Sequence, residues 1–333
     1  MAKNSYKWID NWGNRERSEK SLSGWAHPGM ATTADGNIVT CDSGESLILV
    51  FNQDGKLLDS WNGNFSDAHG ITISKEGSSE VLWIADNGSK RQPGHQYDYA
   101  PEAKSESGRV FKSAFGGEEL MELPMPPHEA YKTSKYSPTS VVINDSGNGD
   151  IWVADGYGAS LVHRFSSDGR YVQTIDGSTG AGLFSCPHGI AIDYRKPEPE
   201  LYVADRANAR VQVFDLDGNF KRSFGSDFLT TPSGFAFSND LAIISELRSR
   251  LAVVDIHDNL INYLFPNPDA PSMDGWPNET TKSGTLQRPS SLEPKKFNSP
   301  HGMTVDNSGN IYVAEWLIGG RFTKLSIEDN ISN

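Results

Sequence analysis

Three histidines of this chain stand in the same local sequence, Ala68-His69-Gly70, Pro187-His188-Gly189 and Pro300-His301-Gly302, and each Xaa-His-Gly step opens an alternating apolar run. Three neutral imidazoles with a fourth position left open describe a zinc site of the catalytic kind, with nitrogen about 2.0–2.1 Å from the ion. Iron or manganese suits the same donor set. Two further residues extend the chemistry: Tyr157 and Arg206 each lie just beyond a Val-Ala-Asp strand ending, at Val153-Ala154-Asp155 and Val203-Ala204-Asp205. A cation lowers the pKa of a hydroxyl bound to it, and a neighbouring tyrosine can take that proton because the same charge stabilises phenolate. Arginine offers a planar fork to a carboxylate. Metal, base and clamp together suit a small hydroxylated amide or a 2-hydroxy acid.

Such residues need a scaffold that brings distant segments to one axis. The repeat around them supplies it. In its clearest copy, His188–Asp193 is followed by Leu201–Asp205, Arg210–Phe214, the turn Leu216-Asp217-Gly218 and Phe220–Gly225, which is four short strands with Asp-Gly as a hairpin signal. Six copies can be laid on one another, a pattern of radially arranged four-stranded sheets. The expected fold is all-β, a six-bladed β-propeller forming a single domain over residues 1–333. The blades are expected at about 25–62, 67–123, 137–177, 186–226, 231–265 and 299–327. The sixth copy stops after its third strand, and residues 5–13 read like the missing fourth, so the N-terminal strand should pair into the last blade and close the ring.

Repeat position then becomes geometry. The residue before the Gly-apolar step is Pro28, His69, Thr139, His188, Ser233 and His301 in blades one to six. Histidine therefore alternates, which places three imidazoles symmetrically around the channel. The start of a blade's first strand and the end of its second share one face, so Tyr157 and Arg206 belong to the histidine face. The long insertions, residues 87–108, 116–137 and 266–299, elaborate the same mouth. His27, one position before Pro28, is expected to point away from the axis, and His163 to lie at the surface.

The Gly-apolar strands, the Val-Ala-Asp endings and Arg210-Val211-Gln212-Val213-Phe214 resemble NHL repeats over nearly the whole chain. The three histidines, with residues 153–160 and 203–210, further resemble peptidyl-α-hydroxyglycine α-amidating lyase. That family cleaves the N–Cα bond of a C-terminal α-hydroxyglycine to a peptide amide and glyoxylate. The resemblance implies that His69, His188 and His301 bind catalytic zinc, that Tyr157 is a catalytic base and that Arg206 holds substrate. The chain departs from the family in three places. The first-blade loop, residues 42–46, contains no arginine, and Lys90 and Arg91 are the cations available to replace it in substrate binding. Gly302 stands where the family has a calcium-binding aspartate, which removes the ligand of a structural calcium. Ser299 replaces a methionine.

A net charge of −13 argues against nucleic acid, which requires a basic footprint. No apolar stretch is long enough to span a membrane, and the N-terminus lacks signal-like character. With Cys41 and Cys186 in opposite blades a disulfide is not expected, and a reduced, cytoplasmic setting follows. The expected partner is a small-molecule or peptide substrate. A hydrolase or isomerase acting on a sugar or lactone, and a non-catalytic binding scaffold, remain the alternatives.

Overall fold

A computed structural model describes residues 5–99 and 107–328. Six four-stranded antiparallel sheets stand around one axis, and the rest is loop, short helical turns and one two-stranded ribbon, Glu279–Thr280 with Leu286–Gln287. The inner strands are Met30–Thr32, Ala68–Glu76, Ser140–Ile143, Pro187–Asp193, Pro232–Ser238 and Pro300–Val305. Their neighbours run outward in sequence order, except in blade six, whose outer strand is Ser5–Ile9 paired with Arg321–Glu328. The expected ring closure is therefore present. Trp8 packs on Phe265 and Phe297, and Trp12 on Phe51 and Tyr312, so the N-terminal segment touches blade one as well as blade six. Glu119–Glu122 is the outer strand of blade two, within the expected 67–123, so the connection to blade three begins after it rather than at residue 116.

The second strands are buried on both faces and the third strands largely so, and this dictates where the core lies. Each hydrophobic cluster draws on two adjacent blades; one joins Val39 and Ile48 to Leu82 and Phe111, and another joins Tyr202 and Val213 to Ile244 and Val254. The apolar core is thus distributed over six seams between sheets, and the axis is left free for polar side chains.

In blades two to six the acidic residue that ends the second strand anchors the chain entering the same blade. Asp86 accepts the N–H groups of Ser66 and Asp67, Asp155 that of Ser137, Asp205 that of Ser185, Glu246 that of Thr230, and Glu315 those of Asn298 and Ser299. Charge-assisted bonds of this kind are roughly twice as strong as neutral ones. They fix the segments that lead into the inner strands. No helix among the described residues is long and apolar enough to cross a membrane.

Candidate active site

Where the inner strands begin, the sheet register breaks. Ala68 pairs with Asp86 and Gly70 with Ala85, leaving His69 as an extra residue; Pro300 pairs with Glu315 and Gly302 with Ala314, leaving His301. Blade four skips in the same way between Pro187 and Ile190, around His188. A bulge bends its strand and re-aims the extra side chain, here toward the axis. The following glycine has a specific task. A Cβ on Gly70 would stand 2.8 Å from the carbonyl oxygen of Thr139, and one on Gly189 would collide with that of Ser233. Those same two carbonyls accept from the imidazoles: His69 Nδ1 lies 2.6 Å from Thr139 O and His188 Nδ1 2.7 Å from Ser233 O. The glycine lets the next blade approach closely enough to hold the ring.

A fourth histidine joins them. His27, expected to face away, has its ring 4.2 Å from that of His69 and 4.5 Å from that of His301. The reason lies in Pro28, which has no N–H for a ladder. The first strand of blade one starts only at Met30 and has no bulge. The chain before it leaves the blade instead, with Trp25 bridging Ile318 and Ala26 donating to Leu317 O, and this swings His27 inward. His27, His69, His188 and His301 are 2–6% exposed, and one donor atom from each lies within 4.8 Å of the others.

Proton accounting shows what this cluster suits. A carbonyl only accepts, so His69 and His188 carry hydrogen on Nδ1 and present a bare Nε2. His27 Nδ1 faces Asp67 at 3.1 Å, which leaves its Nε2 bare too. These three atoms surround one group, the Tyr157 hydroxyl, at 3.3, 3.0 and 3.0 Å for His69, His188 and His27. One phenolic proton cannot serve three lone pairs. His301 adds two ring nitrogens with no hydrogen-bond partner, the Pro28 carbonyl acting on the ring from outside bonding geometry. Burial holds all four imidazoles below their ordinary pKa, most strongly His69, His188 and His301, so they stay neutral. Buried lone pairs without donors are costly, and the four histidines are a group that could hold a divalent cation.

Around this centre the supporting groups are ordered. Asp67 receives Lys90 Nζ at 2.9 Å and Asn87 Nδ2 at 3.3 Å besides His27. Burial alone would raise its pKa, but Lys90 and His27 outweigh that and take it down to about 2. Lys90 is thus committed to Asp67 and to the Asp42 carbonyl at 3.4 Å. Arg91 lies over the rings of Trp25 and Tyr99. Arg206 sits over the Tyr157 ring and points Nη1 at its hydroxyl, 3.4 Å away, and no carboxylate among the described residues pairs with it. Burial raises the pKa of Tyr157, and Arg206 opposes the shift. Trp316 stands beside His27 and packs on Trp25 and Trp276. Behind the histidines the channel opens into a cavity of about 360 Å³ lined by the inner strands.

Comparison with known proteins agrees with this architecture. Human NHL repeat-containing protein 3 is 30% identical over 219 residues, covering 62% of this chain and 57% of that protein. Peptidyl-alpha-hydroxyglycine alpha-amidating lyase 1 of Drosophila melanogaster is 27% identical over 292 residues, covering 81% of this chain and 47% of the relative. The chain is a six-bladed β-propeller similar to NHL repeat-containing proteins and to the amidating lyases. It spans about half the length of these curated relatives. A streptogramin B lyase structure superposes with a TM-score of 0.58 over 98% of each chain at 15% identity, which bears on the fold alone. No family model matches the chain.

In this propeller the three Xaa-His-Gly histidines, Tyr157 and Arg206 meet, whereas Lys90 supports a neighbour and Arg91 stacks on the rim. Sequence reasoning missed His27 and Asp67. The available signal was Pro28, which denies blade one the bulge that its equivalents use. His163, expected at the surface, is fully buried in blade three because its strand is covered on both faces.

Proposed function

We propose that this propeller is a metal-dependent carbon–nitrogen lyase acting on an N-acyl α-hydroxyglycine, the reaction named by the amidating lyases it resembles. The observation that carries this reading is the convergence of bare imidazole nitrogens on the Tyr157 hydroxyl, beside an Arg206 that no carboxylate neutralises. His69, His188 and His301 would hold the ion, zinc being the first choice for three imidazoles and iron or manganese also compatible. Bound there, a divalent cation acidifies a hydroxyl that it touches.

The remaining work falls to the chain's own side chains. Arg206 receives the substrate carboxylate and thereby orients the hydroxyl-bearing carbon toward Tyr157. His27 differs from the other three histidines in facing a carboxylate, so it can accept the Tyr157 proton while Asp67 stabilises the imidazolium. Tyr157 then takes the substrate hydroxyl proton as the C–N bond breaks. The bond's electron pair goes to nitrogen, which recovers a proton from His27 through Tyr157. An amide and glyoxylate leave, and the protein is restored.

The test begins with metal content of protein prepared without a histidine tag, followed by glyoxylate release from an N-acyl α-hydroxyglycine. About one ion per chain and stoichiometric glyoxylate are expected. Metal without glyoxylate would leave a propeller enzyme of another reaction, such as a lactone hydrolase. Absence of metal, with none taken up on reconstitution, would favour the second reading, a binding propeller, which the match to NHL repeat-containing protein 3 supports.

A further inference from the structure

A second cavity, of about 150 Å³, opens at the seam where the closing strand leaves blade six and the chain enters blade one. Four arginines line it: Arg15, Arg17, Arg288 and Arg321. Their counter-charges do not match. Arg15 pairs with Asp42 and Arg321 with Glu315. Arg17 donates only to Ser21 and Ser43, and Arg288 only to the carbonyls of Ile318 and Gly320. No carboxylate among the described residues bonds either one. Two guanidinium charges are thus left over in a half-enclosed wall, in a chain whose overall charge is −13.

Burial, with Arg17 and Arg321 close by, takes Arg288 down to about 10, and burial also lowers Arg17, with Asp42 opposing and Arg15 adding to the shift. Guanidinium groups otherwise keep their proton throughout the accessible range. Arg17 is half-buried and Arg288 keeps an exposed edge, so two like charges crowd the mouth of the pocket, where an ion of opposite charge would relieve them.

We propose that this pocket binds a small dianionic oxyanion, a phosphoryl group either free or carried on a larger molecule. Two uncompensated charges match a dianion, and two guanidinium forks match tetrahedral oxygens. A cavity of this volume has room for a phosphate group. The pocket shares no residue with the histidine centre, and the assignment does not depend on the lyase reading.

Calorimetric titration of the intact protein with inorganic phosphate, at ionic strength held constant with chloride, tests it. One saturable site is expected, unchanged in His188→Ala, and weakened about ten-fold or more in Arg17→Met and Arg288→Met. A phosphate monoester that binds more tightly than phosphate identifies the carried group as the occupant, and equal affinity identifies the free ion. No saturable binding overturns the proposal. So does binding that vanishes in His188→Ala but survives both arginine changes, since phosphate would then sit at the histidine centre, and so does malonate binding as well as phosphate. Should the methionine variants fail to fold, Arg17→Lys and Arg288→Lys keep the charge and lose the fork; undiminished phosphate affinity in both would refute the site.

Discussion

His163 and the axial histidines are equally buried, yet they are different kinds of residue. His163 Nε2 lies 2.6 Å from the Tyr131 hydroxyl and Nδ1 2.8 Å from Thr174 Oγ1. Hydroxyls both donate and accept, and Tyr131 passes its own proton to Asp155 at 2.8 Å, so every lone pair there has a donor. The rings of His27, His69 and His188 are pinned by carbonyls and a carboxylate, which accept only, and their second nitrogens are stranded around one phenol. Burial alone therefore does not distinguish a functional histidine. The type of atom on the far side of the ring does.

The sharpest break of this comparison is a pair of alanine variants. His188→Ala should abolish metal retention and bring glyoxylate release below detection, whereas His163→Ala should retain about one ion per chain and full turnover, as read by elemental analysis and assay. A His163→Ala protein that loses its metal would show that the two environments are not independent.

Tyr157→Phe comes next. It should keep the metal and lower kcat by about 10²–10⁴, the range for a lost acid–base group. A change in KM alone would make Tyr157 a positioning residue instead.

Asp67→Asn separates two roles for His27. In the relay, kcat falls about ten- to a hundred-fold with metal content intact and an altered pH–rate profile. If His27 is a ligand, the metal affinity falls by a similar factor. Competition with a chromophoric chelator distinguishes them.

The smallest effects concern His163 itself. His163→Ala removes a buried ring and leaves two hydroxyls short of a partner, at about 2–4 kcal/mol in urea unfolding. Its pH signature has a definite sign. Burial, with a lesser contribution from His128, takes the His163 pKa down to about 3, so between about 3 and the unfolded value near 6.5 the unfolded chain binds the extra proton. Stability from this residue is complete above about 6.5 and declines as the pH falls through that window. The decline should be shallower in His163→Ala, measured as urea midpoints between pH 7 and 4.

Much of this was legible in the sequence because the repeat makes it so. Once Leu201–Asp205 is laid on Ile151–Asp155, the blade count, the ring closure and the shared face of His69, His188, His301, Tyr157 and Arg206 follow from position. What escaped was whatever breaks the repeat. Pro28 sends blade one along a different path and brings in His27, and Asp67 becomes relevant only through it. Lys90 could be placed at the correct mouth but not on a partner, because a loop's course decides which carboxylate a flexible ammonium reaches. His163 was misplaced for a related reason: an alternating strand pattern does not reveal that Thr174 and Tyr131 stand ready to satisfy an inward ring.

The pairing of Ser5–Ile9 with Arg321–Glu328 also has a consequence in time. At roughly 5–20 residues per second, a ribosome places the N-terminal strand a large fraction of a minute before its partner exists. The entropy of joining such distant segments grows only logarithmically with their separation, but the search for non-local contacts is slow. Until that seam shuts, blades two, four and six have no common axis, and their histidines are neighbours of nothing. Uptake of the ion proposed for the histidine centre by a nascent or refolding chain would then report ring closure, and it should lag behind the formation of the individual sheets.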